Sequence, residues 1–193
     1  MKAITINNKT YNNPLLVFAM KEEAQNLFEG FSLLFTGLGK VNASYALTKN
    51  ISSNFPDIII NLGTAGSTQF LKGEVICCTQ FVQRDMDVEA LGFPKFKTPF
   101  AEEEAVLSYG ITPNDMKKGI CGTGDSFETE HNNPEYNVVD MEAYALALIA
   151  KRENIPFLCL KYISDGADKD AVDDWSISVT KAAQTLKSAL GIV

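Results

Sequence analysis

The chain has 193 residues, 46% hydrophobic and 21% charged, with a net charge of −7. That balance suits a single α/β domain with a full core. The acidic excess, with Arg84 and Arg152 as the two arginines, argues against a nucleic-acid partner.

No apolar run nears the roughly 20 residues that cross a bilayer, and residues 1–7 lack an apolar signal core. No membrane partner is expected, and a cytoplasmic location is the default. In chain order, Leu15-Leu16-Val17-Phe18 after Asn12-Asn13-Pro14 predicts the first buried strand. Residues 21–28 have helical character, with Ala24, Leu27 and Phe28 on one face and Gly30 as the stop. A short strand at 32–35 and a turn at Gly37-Leu38-Gly39-Lys40 follow. A helix is then expected over 41–51, its apolar positions including Val41, Tyr45, Leu47 and Ile51. Phe55-Pro56-Asp57 breaks that helix ahead of Ile58-Ile59-Ile60, a strand buried on both faces. Further strands are expected at 75–81, 119–122 and 157–160, and further helices at 140–152 and 174–190. The irregular stretch 85–103, with Pro94 and Pro99, reads as a functional loop or a partner contact. The alternation predicts one α/β domain over 1–193. It would be a three-layer α-β-α sandwich with a central mixed, largely parallel sheet.

Ligands in open α/β sheets bind at the carboxyl ends of strands. Polar or glycine-rich clusters fall at such ends: Ala19-Met20-Lys21-Glu22-Glu23, Gly37-Leu38-Gly39-Lys40, Asn61-Leu62-Gly63-Thr64-Ala65-Gly66, Gly122-Thr123-Gly124-Asp125-Ser126-Phe127 and Ile163-Ser164-Asp165-Gly166-Ala167-Asp168. Asp140-Met141-Glu142 stands at a helix start. Each also has a plain structural reading. Glu22 and Glu23 suit a first helical turn, the glycines suit turns, and Asp140 and Glu142 suit an N-cap and first-turn acid. Asp165 and Asp168 suit loop caps. Cys77, Cys78, Cys121 and Cys159 lack C-x-x-C spacing, and His131 is the one histidine. No metal or other cofactor is therefore expected, and most of the cysteines read as small buried hydrophobes.

The segment Asn137-Val138-Val139-Asp140-Met141-Glu142-Ala143-Tyr144-Ala145, followed by Ile155-Pro156-Phe157 and residues 161–168, resembles the signature region of bacterial methylthioadenosine/S-adenosylhomocysteine nucleosidases. These belong to the nucleoside phosphorylase and nucleosidase superfamily. The upstream clusters resemble the remaining family blocks in the same order, as does Asp85-Met86-Asp87-Val88-Glu89-Ala90-Leu91-Gly92-Phe93. The resemblance implies hydrolysis of the N-glycosidic bond of an adenine nucleoside. It implies that Glu23 holds or deprotonates the attacking water, and that Met141 and Glu142 line the ribose. Asp165 would protonate N7 of the departing adenine, oriented by Ser164. Phe127 would stack on the base, backbone near Glu128 would read its edge, and Thr64, Ala65 and Gly66 would lie beside sugar and base. The chain departs from the pattern in a short 28–37 region, in Lys21 where an acid is common, in Thr64 for serine, and in Lys161 where arginine is frequent. Lys161 could still support the water site as a point charge.

Phosphorylases of this superfamily bind phosphate with arginines near the first strand and before the glycine block. Here those regions hold Lys21, Lys40 and Asn61, which favours water as nucleophile. Arg84 beside Asp85 reads as a surface ion pair. A purine nucleoside phosphorylase and a non-catalytic nucleoside-binding protein on the same fold remain the alternatives. By the resemblance a homodimer is expected, with residues 93–100 closing the neighbouring 5′ pocket.

Overall fold

A computed structural model of the chain describes residues 2–131 and 133–192. It opens with an antiparallel hairpin that sequence reading did not foresee, β1 (Ile4–Ile6) and β2 (Lys9–Tyr11). Asn7 and Asn8 form its two-residue turn with φ of 49° and 64°. Asparagine tolerates that left-handed backbone, which matches the twist of a hairpin. The main sheet comprises β3 (Pro14–Phe18), β4 (Ser32–Phe35), β5 (Ile58–Gly66), β6 (Val75–Gln83), β7 (Val106–Ser108), β8 (Lys118–Thr123), β9 (Val138–Asp140) and β10 (Phe157–Asp165). The helices are α1 (Lys40–Ile51), α2 (Ala143–Arg152) and α3 (Ala171–Ala189). None is long and apolar enough to cross a membrane.

The strand order is β10-β6-β8-β9-β5-β3-β4, and β10 also pairs with β5. The sheet therefore closes on itself into a barrel-like ring, where an open central layer was expected. It is mixed, as expected: β10–β5, β3–β4, β3–β5, β6–β8 and β8–β9 are parallel, while β10–β6, β5–β9 and β6–β7 are antiparallel. Strand alternation divides the apolar residues between two faces. Leu15, Val17, Ile59, Phe157 and Cys159 face a core shared with α1 and α2, while Leu16, Phe18, Ile58, Ile60 and Leu158 face one shared with α3. Burial on both faces explains why these strands read as unbroken apolar runs.

Four expectations need correction. The helix predicted over 21–28 is a single 3-10 turn at Lys21–Glu23. Gln25 and Asn26 turn left-handed (φ 48° and 56°), and the Glu23 carboxylate binds the backbone N–H groups of Ala19 and Met20. In α1 the buried stripe is Ala43, Leu47 and Ile51 at i, i+4, i+8, whereas Val41 and Tyr45 are exposed. Finally, β5 and β10 run beyond their aliphatic cores and carry residues 61–66 and 161–165 as strand rather than loop. The helix expected from 140 begins at Ala143, because Asp140 ends β9.

Candidate active site

The ends of β5, β8, β9 and β10 converge at Gly66. In register, Asp165 lies opposite Gly66, Gly66 opposite Val139, and Asp140 opposite Thr123. A Cβ on Gly66 would lie 2.5 Å from Asp165 Oδ1 and 3.0 Å from both Ala167 Cβ and Val139 Cγ2, so the strands meet this closely only because the residue is glycine. Above this junction lies a cleft of about 290 Å³.

Thr64, Ala65 and Gly66 form the floor of the cleft, Met141 and Glu142 one wall, and Ser164 and Asp165 the other. Phe127 and Glu128 reach it from the 124–131 loop. Glu23 does not line it. The Glu23 carboxylate sits behind Thr64, buried, and accepts four hydrogen bonds: from Ala19 N (3.1 Å), Met20 N (3.2 Å), Thr64 N (2.9 Å) and Thr64 Oγ1 (3.0 Å). A carboxylate offers about four acceptor sites, so this one is saturated and reaches the cleft through the threonine hydroxyl. Trp175 Nε1 donates to that hydroxyl at 3.0 Å.

Glu142 is the N-cap residue of α2, yet its side chain makes no cap bond to its own helix. Its Oε1 instead accepts from Gly39 N at 3.0 Å, just ahead of α1. Burial, with repulsion from Asp140 next, pushes its carboxyl up to about 8, against the opposing pull of Lys161 and the Gly39 bond. Asp140 caps α2 in its place, with Oδ2 accepting from Ala143 N at 2.8 Å. Its Oδ1 accepts from Thr123 Oγ1 at 2.5 Å and Cys121 Sγ at 3.3 Å, and Lys161 Nζ pairs with Oδ2 at 2.8 Å. Burial alone would raise the Asp140 carboxyl, but the Lys161 ammonium overrides it and holds the group below the ordinary carboxylate range.

On the opposite wall Asp165 is buried. Its Oδ2 accepts from Ser164 Oγ at 2.7 Å and its Oδ1 from Ala167 N at 2.9 Å. Burial raises its carboxyl, and the charges of Asp174 and Asp168 add to that, outweighing the two hydrogen bonds. The Ser164 hydroxyl has a second acceptor in reach, Ala65 O at 3.3 Å. Asp168 serves as a loop cap, its Oδ1 accepting from Asp170 N at 3.0 Å.

Two charged residues sit elsewhere than expected. Lys161 does not line the cleft: its side chain is buried and paired with Asp140. Arg84 is no surface partner of Asp85. It lines the cleft and pairs with Glu128, while Asp85 pairs with Lys40. Sequence reading also missed Trp175 and Val172 from the start of α3, and gave Met20 and Leu38 no role beyond their place in the strand-end clusters 19–23 and 37–40. Trp175, the one tryptophan, is itself a signal that could have raised it; nothing local marks Val172.

Comparison with known proteins places the chain in a family. The family model described as the phosphorylase superfamily matches residues 29–192. The 5′-methylthioadenosine/S-adenosylhomocysteine nucleosidase of Anoxybacillus flavithermus is 30% identical over 78% of this chain and 74% of its own length. That of a Marinomonas species is 31% identical over 81% of this chain and 78% of its own. Among solved structures, a futalosine hydrolase mutant of Helicobacter pylori superposes with a TM-score of 0.82 at 21% identity, covering 92% of this chain and 96% of that one. A mutant nucleosidase from the same organism, with 5′-methylthioadenosine in its active site, also gives 0.82 at 21%, covering 93% and 98%. At that identity the structural likeness speaks for the fold.

Proposed function

The chain belongs to the phosphorylase superfamily, and we propose from that membership that it hydrolyses the N-glycosidic bond of an adenine nucleoside, such as methylthioadenosine or S-adenosylhomocysteine. Its relatives at about 30% identity are nucleosidases. The observation that carries water rather than phosphate as nucleophile is the state of the cations. Lys40 pairs with Asp85 and lies 3.9 Å from Asp125, Lys161 pairs with Asp140, and Arg84 pairs with Glu128. The backbone N–H groups entering α1 are also taken, Gly39 N by Glu142 and Lys40 N by Asp125 at 2.7 Å. The two N–H groups at the mouth of that helix are thus committed to carboxylates, which weakens it as a site for an oxyanion.

Breaking the glycosidic bond leaves positive character on the sugar and negative charge on the purine. Glu142 accepts hydrogen bonds from the ribose hydroxyls and, when ionised, stabilises the cationic sugar. Met141 packs on the ribose, and Thr64, Ala65 and Gly66 support sugar and base. Phe127 stacks on the base. Asp165, its carboxyl raised by burial, delivers a proton to N7, and the Ser164 hydroxyl, free to rest on Ala65 O beforehand, donates to the carboxylate left behind. Water gives its proton to Thr64 Oγ1 as the threonine proton passes to Glu23, because Glu23 meets the cleft through that hydroxyl. Positioned proton transfer of this kind contributes about 10²- to 10⁴-fold.

The released adenine would enter purine salvage, in the cytoplasm. We also propose a dimer. Leu91 and Phe100 are 73% and 95% exposed in the 85–103 stretch, an apolar surface of the kind a second copy covers.

A nucleoside panel with and without phosphate tests the reading. The expected outcome is free adenine and a free pentose derivative without phosphate. A strict phosphate requirement and a sugar 1-phosphate product would make the protein a phosphorylase.

A further inference from the structure

Arg84 has no part in the chemistry above, yet it is buried at the wall of the cleft. Its side chain is 6% exposed. Its Nη1 pairs with Glu128 Oε2 at 2.9 Å and donates to Ser126 Oγ at 3.1 Å, and its Nη2 donates to Ser126 O and to Gly124 O, the latter at 3.5 Å. Gly124 makes room for it: a Cβ there would lie 2.8 Å from Arg84 Cζ and 3.0 Å from Nε. The Nε is buried and has no hydrogen-bond partner among the described residues. Burying a guanidinium is costly unless something uses it. What it holds is Glu128, itself on the cleft wall beside Phe127.

An ionised carboxylate only accepts hydrogen bonds, through about four lone-pair sites. Arg84 engages one oxygen of Glu128, so capacity remains for a donor on the ligand. The Arg84 charge also keeps the pair neutral overall. Resting on the adenine nucleosidase reading, we propose that the Glu128 side chain is the specificity-determining group of the base subsite. Oriented by Arg84, it accepts a hydrogen bond from the 6-amino group of the purine. A site built to accept from an N–H discriminates against an analogue that lacks it, because the acceptor, covered by the bound base, is then left without that donor. Glu128 thus selects aminopurines, and Arg84 is a positioning residue that acts through it.

The test compares kcat/KM for a 6-aminopurine nucleoside and for the same nucleoside with an unsubstituted purine, in the wild type, Glu128→Ala, Glu128→Gln and Arg84→Met. The two bases differ in leaving ability, but that difference cancels when the ratio of the two rates is compared between enzymes. The expected result is a fall in the amino-to-unsubstituted ratio of at least about tenfold in Glu128→Ala. Glu128→Gln, which keeps an acceptor carbonyl, should fall less, and Arg84→Met should lie between them. A ratio unchanged from wild type, even with both rates lowered equally, would overturn the proposal and leave Glu128 as a strut for its loop. If Glu128→Ala fails to fold, the ratio in Glu128→Gln decides on the same terms. If the wild type cleaves neither nucleoside, the nucleosidase reading falls. Glu128 is then judged by equilibrium binding of adenine against unsubstituted purine to wild type and Glu128→Gln, where an equal loss for both bases overturns it.

Discussion

The two walls of the cleft carry carboxylates of opposite design. On one, Asp140 is held by a buried lysine, a threonine hydroxyl, a thiol and the first N–H of α2, all on strands or a helix start. Its neighbour Glu142 has a single hydrogen bond among the described residues, from Gly39. On the other, Asp165 has no salt-bridge partner among the described residues and is oriented by Ser164 and Ala167 beside it. The first wall places an ionised group where it cannot leave and uses its charge to raise the carboxyl beside it. The second sets no paired cation beside its acid among the described residues, and burial, helped by the charges of Asp174 and Asp168, raises its carboxyl. A fully compensated charge builds the scaffold, and incompletely compensated ones are available for chemistry.

The largest effect should come from breaking the compensated wall. Lys161→Met would strand Asp140 and cost about 3–5 kcal/mol in urea unfolding. Pairing it with Asp140→Asn should recover much of that loss; full additivity of the two would mean the charges do not depend on each other. Asp165→Asn keeps size and one donor but cannot transfer a proton. Turnover should fall at least about 10²-fold on an adenine nucleoside, and far less on a nucleoside whose base leaves without protonation. Equal losses on both would reduce Asp165 to a positioning group.

Glu142 sharpens the comparison through pH. Its carboxyl is raised in the folded protein, so its contribution to stability is present in full below the unfolded value and is lost as pH rises toward about 8. Glu142→Gln removes that loss. Its Tm should therefore gain on wild type as pH rises from 5 to 8, by about 3 °C or more, while turnover falls. A constant Tm difference across that range would show that Glu142 does not titrate there. The smallest effect is expected from Trp175→Phe, which removes the donor to Thr64 Oγ1 and should lower turnover by about threefold to tenfold. No change in rate would show that Thr64 is held well enough by Glu23 alone.

Much of this was legible in the residues. The apolar runs 15–18, 58–60 and 157–160 read as strands, 58–60 as one covered on both faces, and the glycine-rich and acidic clusters at strand ends pointed to a small-molecule site that the cleft now gathers. The hairpin at 4–11 was missed because its strands are three residues each, too short to show a period. The helix expected at 21–28 fails because a buried carboxylate claims the backbone around it, a tertiary contact that outweighs local propensity. Sequence order placed Glu142 and Asp165 at the ends of their elements. Only the closed sheet brought them to one cleft, set Glu23 one residue behind it, and decided which charges are spent. Lys161 and Arg84 carry the same formal charge in any reading of the chain. Whether each meets a substrate or a carboxylate depends on which distant segments the closed sheet brings together, 84 with 128 and 140 with 161, and no local pattern encodes that.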